Sequence, residues 1–380
     1  AIASKTKYVE FSKNNSSDSY ETIVLSWCFQ KNFDADGSFN DRYFKENSKD
    51  LPNSYWILIS MDDYVPVNLN SNITVIKREK GIFKYNFFSF IKILISIFFE
   101  CKFSPKKIFH YLYFSSYFSK IALNSVKKKL IKTNCKAVLI PYEAQNFQNK
   151  VFLETKKYNK TIKTIGYLHS LNSLTSELIY RSGAPDFLLV HGNSQIEILN
   201  SKLNWPKNKL ILTQSFRHRL NQNMNLSNKI FLPLNIIKDK ILIDAFEKLI
   251  KNSSKNNFPN FVIQNHPAAV NSKKHLKFIE KIEKIMGRYP DRFSSSLSDK
   301  KISIFFGVTD VLEALEKGIN IIHICSDPIL ESYSDKIWQN LKVEQLEAFT
   351  FQYKLYTTGK YIIFGEEKKI LHKTLKALYQ

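Results

Sequence analysis

The chain is short of glycine, cysteine and arginine, and each shortage closes off a class of function. Only 10 of its 380 residues are glycine. None of them builds a Gly-x-Gly-x-x-Gly turn after a strand or a Gly-x-x-x-x-Gly-Lys-Ser/Thr loop, so a dinucleotide oxidoreductase or a P-loop nucleotidase is not expected. The absence of a Gly-x-Ser-x-Gly elbow argues against a serine hydrolase of that type. Four cysteines (Cys28, Cys101, Cys135 and Cys325) are scattered, without Cys-x-x-Cys or metal-ligand spacing. They read as buried thiols of a reduced compartment. Seven of the 56 basic residues are arginine. With no Arg-rich arm, zinc spacing or RNP-like aromatic motif, nucleic acid is not an expected partner. No hydrophobic run reaches the ~20 residues that span a bilayer. The longest, Phe87–Phe99, is broken by Lys92. The start, Ala-Ile-Ala-Ser-Lys, lacks a hydrophobic signal region, so a cytoplasmic location is expected.

What is abundant is lysine. The formal net charge is +22. An anionic membrane surface or an acidic substrate would account for it; so would a codon bias, because Lys, Asn, Ile and Phe are enriched together. Aromatics and lysines interleave through 84–120. That mixture suits helices lying on an anionic membrane surface, peripheral on its inner face. It equally suits a helical pair packed inside the first domain.

At this length two domains are expected. Continuous apolar runs predict strands at Thr22–Phe29, Tyr55–Met61, Ile73–Arg78, Ala137–Tyr142, Thr161–His169, Phe187–Gly192 and Lys209–Ser215. Runs without alternation mean burial on both faces, as in a parallel sheet. Helices are predicted at 84–132, 146–158 and 194–203, the last capped by Asn193-Ser194. A polar stretch, Phe216–Asn228, reads as the connection. A second series follows: strands at Lys229–Asn235, Asn260–Asn265, Ile302–Gly307 and Ile319–Ile324, helices at 238–252, 273–287 and 310–317, and an amphipathic helix from Glu366. The fold class is α/β: two doubly wound, Rossmann-like domains, 1–220 and 221–380, facing a cleft, with the C-terminal helix crossing back.

In open α/β sheets ligands bind beyond the carboxyl ends of the strands, and the candidates fall there. Phe305 to Ile324 reads as strand, glycine turn, capped helix and strand. A helix start at Thr309 or Asp310 offers free N–H groups to a phosphate, with Glu313 one turn in. Asp310 and Glu313 also match a capping box. Gln264-Asn-His-Pro267 places His266 at a strand end on the same edge. Arg217 and Arg219, in Phe216-Arg-His-Arg219, can clamp an anion or simply be a solvated hinge. Glu143 follows one strand end and His169-Ser170 the next. A partly desolvated Glu143 can take a proton from a hydroxyl. Arg181, Asp186 and His191 lie near later strand edges, Asp186 reading as a turn former. Asp62-Asp63 is adjacent rather than spaced, and a metal-independent site is expected.

Together these stretches resemble GT-B glycosyltransferases of bacterial surface-carbohydrate biosynthesis, that is capsule, O-antigen and lipopolysaccharide. Val308–Gly318 is similar to that fold's donor-nucleotide helix, with Asp310 in place of the usual Ser. Gln264–Pro267 looks like the His-Pro motif of sialyl- and Kdo-type transferases. Tyr142-Glu143 followed by Gly166-Tyr-Leu-His169 resembles a Tyr-Glu … Gly-Tyr-Gln-His pattern of capsule and O-antigen proteins, Leu168 departing from Gln. The resemblance covers roughly 137–324. It implies a nucleotide-sugar co-substrate, CMP-linked, with no other cofactor and no metal, and a glycan or glycolipid acceptor. His266, Pro267, Thr309 and Asp310 would hold the phosphate and Glu313 the ribose. Arg217, beside Ser215, would meet a keto-sugar carboxylate. Glu143 would be the general base, with His169 orienting the acceptor and Tyr142, Ser170, Arg181 and His191 lining its cleft. Competing readings are a CDP-glycerol- or ribitol-type phosphotransferase and a non-catalytic membrane-surface protein.

Overall fold

The computed structural model describes residues 6–12, 20–80, 95, 99, 114–170, 176–219, 226–266, 269, 272–307, 311–366 and 370–379. Strands β1 (Thr6–Ser12), β2 (Thr22–Cys28), β3 (Ser54–Ser60), β4 (Ile73–Lys80), β5 (Ala137–Pro141), β6 (Lys163–Tyr167), β7 (Phe187–Val190) and β8 (Leu210–Leu212) form one sheet. Its order is β1-β4-β3-β2-β5-β6-β7-β8. Only the β1–β4 pair is antiparallel. β3 and β5 are buried at every position, which is why their sequences are unbroken apolar runs. From β2 the chain first builds outward through β3 and β4. It then returns to β5 and builds the other way. The topological switch point therefore lies between β2 and β5.

Helices α1 (Phe114–Lys132), α2 (Asn146–Tyr158) and α3 (Asn193–Leu203) fill connections of this sheet. Ala122, Val126 and Leu130 recur every four residues and face the sheet core. This part of the expected 84–132 helical stretch is thus packed against the first sheet. Residues 81–113, apart from 95 and 99, lie outside the described residues, and the membrane-surface reading lies there with them. No helix among the described residues is long and apolar enough to cross a membrane.

The second half contains β9 (Lys229–Phe231), β10 (Phe258–Pro259), β11 (Val262–Gln264), β12 (Phe293–Ser294), β13 (Ile302–Phe305), β14 (Asn320–Ile324), β15 (Leu341–Glu347) and β16 (Thr350–Leu355). β10 and β12 pair by themselves, and the main sheet runs β11-β9-β13-β14-β16-β15. The first four strands of that order are parallel and the last two antiparallel. Its switch point lies between β9 and β13. The helices are α4 (Asp239–Asn252), α5 (Lys273–Arg288), α6 (Val311–Glu316), α7 (Pro328–Glu331) and α8 (Ile370–Tyr379).

Three expectations need correction. The strand before His266 is not buried: β11 is a three-residue edge strand, and Val262 is 63% exposed. Among the described residues it has a neighbour strand on one side only. The N-cap of α3 is Gly192 rather than Asn193 or Ser194, with no side-chain cap bond. Finally, β1 and the β15–β16 hairpin were not anticipated. Both are antiparallel edge elements, whose polar residues hide them from a search for apolar runs.

After β16 the chain crosses back, as the sequence suggested. Residues 357–366 run along the carboxyl edge of the first sheet. Leu371 and Leu375 of α8 are then buried with Val24, Leu58 and Leu139, and the Tyr379 and Thr22 hydroxyls are hydrogen-bonded. The two halves meet in an apolar seam. Phe305, Val311, Leu315, Trp338 and Tyr353 belong to one cluster with Ile140, Leu188 and Val190.

Candidate active site

The carboxyl-edge loops of β2, β5, β6, β7 and β8 bring the polar candidates together. Gln148 fixes the first of them. Its Oε1 accepts from the N–H groups of Glu143 (3.0 Å) and Gln145 (3.1 Å), and its Nε2 donates to the Pro141 carbonyl at 2.7 Å. The loop between strand and helix is thereby stapled, with Ala144 in a left-handed conformation at φ 56°. An alanine there costs about 1–2 kcal/mol, strain that the staple sustains next to Glu143.

Glu143 Oε1 lies 3.1 Å from His169 Nε2, and Glu143 Oε2 accepts from Gln145 at 2.7 Å. Burial raises the carboxyl's pKa most strongly. The bond to and charge of His169, with Gln145 and Arg217, outweigh it and leave Glu143 below the ordinary carboxylate value. For His169 burial dominates and holds the imidazole below its usual value, against the pull of Glu143. The pair is therefore an ionised carboxylate facing a neutral ring that donates from Nε2. His169 Nδ1 is buried without a hydrogen-bond partner among the described residues. The Tyr43 ring packs edge-on against His169 at 4.4 Å, and Arg42 stacks over Tyr43 at 4.7 Å.

Behind this pair the loop after β8 is braced from within. The Tyr167 hydroxyl accepts from the Phe216 N–H at 3.1 Å and the Arg217 N–H at 3.3 Å. Ser215 Oγ lies 3.3 Å from the Tyr167 hydroxyl and accepts from the His218 N–H at 2.9 Å. Arg217 Nη1 donates to the His169 carbonyl at 3.4 Å, so it lies beside the Glu143–His169 pair. Arg219 donates to the Lys45 carbonyl at 3.2 Å. Partial burial, then the charges of Arg217 and Arg219, hold the Lys45 ammonium below its ordinary value. A polar cavity of about 450 Å³ opens next to these groups, lined by Arg42, Lys45, Glu46, Asn47 and Arg219 among others.

The second sheet meets this edge through α6. Glu313 Oε2 lies 2.9 Å from His218 Nδ1, and Oε1 lies 2.8 Å from Lys317 Nζ. Burial raises the Glu313 pKa, but His218 and Lys317 overcome it and bring the carboxyl down to about 2. At the switch point of the second sheet, Gly307 has φ +121°, a conformation side chains disfavour, and a Cβ there would crowd Pro233 at 3.1 Å. His266 follows β11 on the same carboxyl edge, and its carbonyl accepts from the Ala269 N–H at 2.8 Å. β9 separates the two loops, so they are roughly 10 Å apart along the sheet.

The sequence candidates thus divide. Glu143, His169 and Arg217 come together, with half-buried Ser170 following His169. Pro267, Thr309 and Asp310 lie outside the described residues. His169 is 3% exposed and bonded to Glu143. Glu313 is also buried, in ion pairs with His218 and Lys317. Ser215 is fully buried as a loop brace. Tyr142 points into the core, its hydroxyl on Asn149 Oδ1 at 2.7 Å. Arg181 is exposed and supports the Ala144 carbonyl at 2.8 Å. His191 is wholly buried between the Tyr167 and His218 rings, not in a cleft. Asp186 accepts from the Thr164 N–H at 2.9 Å and pairs with Lys156, as a turn former should.

Sequence reasoning missed Arg42, Tyr43, Lys45 and His218. The first three sit in the β2–β3 connection, which has no regular period. His218 was visible between two arginines and was passed over for them. An Asp-x-Asp pair also exists, Asp34-Ala35-Asp36, overlooked beside Asp62-Asp63. Its carboxylates are engaged: Asp34 accepts from Ser38, Asn40 and Asn47, and Asp36 pairs with Lys49. Among the described residues no group of three or more His, Cys, Asp or Glu is placed to hold a metal.

No family model matches the chain, and no curated protein matches it in sequence. Among solved structures, a glycosyltransferase from Rickettsia africae ESF-5 aligns over 80% of this chain and 79% of its own, at 10% identity and a TM-score of 0.32. At that score the alignment carries no argument, and the architecture rests on the strand order described above.

Proposed function

We propose that this protein is a glycosyltransferase that moves a sugar from a nucleotide donor, CMP-linked, to a glycan or glycolipid acceptor of a bacterial surface polysaccharide. The observation that carries this reading is the Glu143–His169 pair at 3.1 Å. It stands at the first sheet's carboxyl edge, beside Arg217. Glu143 takes the proton of the acceptor hydroxyl as its oxygen bonds to the anomeric carbon, and the nucleotide leaves with the electrons of the broken bond. His169, held neutral, fixes the carboxylate's orientation. Arg217 and Lys45 offer positive charge to the donor's phosphate or to a keto-sugar carboxylate. The nucleotide lies over the loops after β9 and β13, with His266 toward its phosphate. Packing of the two halves would exclude water and limit hydrolysis of the donor.

A thermal-shift panel with CMP, CDP, UDP and GDP tests the donor. CMP or CDP should raise the melting temperature more than UDP or GDP does, because a ligand that binds only the folded state stabilises it in proportion to its affinity. Equal shifts, or none, across the panel would remove the nucleotide-sugar reading.

A further inference from the structure

The β2–β3 connection and Arg219 enclose the polar cavity of about 450 Å³, and every residue lining it belongs to the first half. Such a volume suits a small organic ligand. Tyr43 links it to the candidate base: Arg42 lies over the Tyr43 ring at 4.7 Å, and that ring packs on His169 at 4.4 Å. Two carboxylates of the lining are already committed. Asp41 accepts from Ser26 Oγ and from the Tyr43 and Phe44 N–H groups, both at 2.7 Å. Glu46, 7% exposed, lies 3.9 Å from Arg219. Asp34 holds two lining amides in place, accepting from Asn40 at 2.9 Å and Asn47 at 3.1 Å. Three charged groups are left over. The Lys45 ammonium has neither hydrogen bond nor ion pair among the described residues, Arg42 stacks on Phe29 and Tyr43 without a carboxylate partner there, and the Asp50 carboxylate is unbonded. Lys45 also stands in left-handed backbone at φ 54°, fixed by its N–H on the Asp41 carbonyl at 3.0 Å and by Arg219 on its own carbonyl. Lysine does not favour this conformation, so the fold holds a strained residue where it presents an unpaired cation.

We infer that this cavity is a subsite for one acidic sugar of the acceptor, with its carboxylate on Lys45 and Arg42 and its hydroxyls on Asp50 and the asparagines. That the sugar is the acceptor's rests on the proposed reaction: the cavity lies wholly in the first half, near Glu143, whereas the nucleotide lies over loops of the second. A sugar carboxylate gives Lys45 and Arg42 a charge-assisted partner, and the ring's hydroxyls give Asp50 donors. A phosphate monoester would bring about two negative charges toward Asp50 and Glu46. A neutral hexose would leave Lys45 unpaired. Lys45 is thereby assigned to a sugar carboxylate, and Arg217 to the donor.

Titrations of the ligand-free protein with glucuronate, glucose and glucose 6-phosphate, followed by saturation-transfer NMR, test the site without turnover. Glucuronate should bind about tenfold more tightly than glucose or the phosphate, the worth of one bond to a charged group. Lys45→Asn removes the charge, and asparagine tolerates left-handed backbone. It should abolish the preference and leave glucose binding as it was. Asp50→Ala should weaken both glucuronate and glucose. Glucuronate that binds no better than glucose or glucose 6-phosphate, or whose affinity survives either substitution, overturns the subsite. Saturating CMP should leave glucuronate bound. If CMP displaces it, the anion that Lys45 meets belongs to the donor, and the acceptor assignment falls. Glucuronate bound by a protein that no nucleotide stabilises would keep the sugar site and remove the transferase reading instead.

Discussion

Glu143 sits where burial and hydrogen bonding pull its carboxyl in opposite directions, and the hydrogen bonds win. The base form is therefore populated throughout the neutral range. The acid limb of the rate profile should fall below pH 4.5, the ordinary value of a glutamate. Glu143→Gln should lower turnover by about 10²–10⁴-fold while the nucleotide-induced melting shift is kept. Loss of both together would assign Glu143 to donor binding instead. Glu313 gives a separate, purely thermodynamic prediction. Its folded pKa is depressed to about 2, so its contribution is present above the unfolded value near 4.5 and is lost as pH falls toward 2. Urea unfolding across that window should show a shallower acid slope for Glu313→Gln than for the wild type. An unchanged slope would mean that the pair adds nothing to stability.

At the scale of elements, the site is held by loop staples rather than by the strands alone. Tyr167 ends β6 and points its hydroxyl at two backbone N–H groups of the Ser215–Arg217 loop. Removing a buried acceptor leaves those donors unsatisfied, at about 1–3 kcal/mol. Tyr167→Phe should therefore lower unfolding free energy by that amount, and amides 216–218 should exchange faster. If global stability falls and those amides stay protected, the hydroxyl does not brace the loop. The short helix α6 shows a contact that no local pattern announces. Asp310 lies outside the described residues, and the Glu313 carboxylate that local spacing paired with it also meets His218, 95 residues away in the chain.

For the whole molecule, the first sheet is completed by the last helix. Leu371 is fully buried and Leu375 nearly so, among strand residues from the other end of the chain. Leu371→Ala should cost about 2–5 kcal/mol, read by urea denaturation. It should destabilise the first sheet, monitored by Trp56, which lies in the same cluster. A loss confined to local fraying of α8 would show that the helix is an accessory, not a part of that core.

The sequence alone determined the α/β class, most of the parallel strands and the positions of Glu143 and His169 at strand ends. Those features follow from local chemistry: unbroken apolar runs must be buried on both faces, and polar residues just past them must fall at the sheet's edge. It could not decide which edge residues touch. Tyr142 and His191 read as cleft residues, and Ser215 as a donor contact, because they share those loops, but a strand end has two faces and a loop can turn inward. Only the packing of the halves put His218 on Glu313, and only the tertiary folding of the first half put Tyr43 on His169 and Lys45 near Arg217. Such contacts depend on chain crossings that no local pattern encodes, and on which face of each loop the seam leaves open to water.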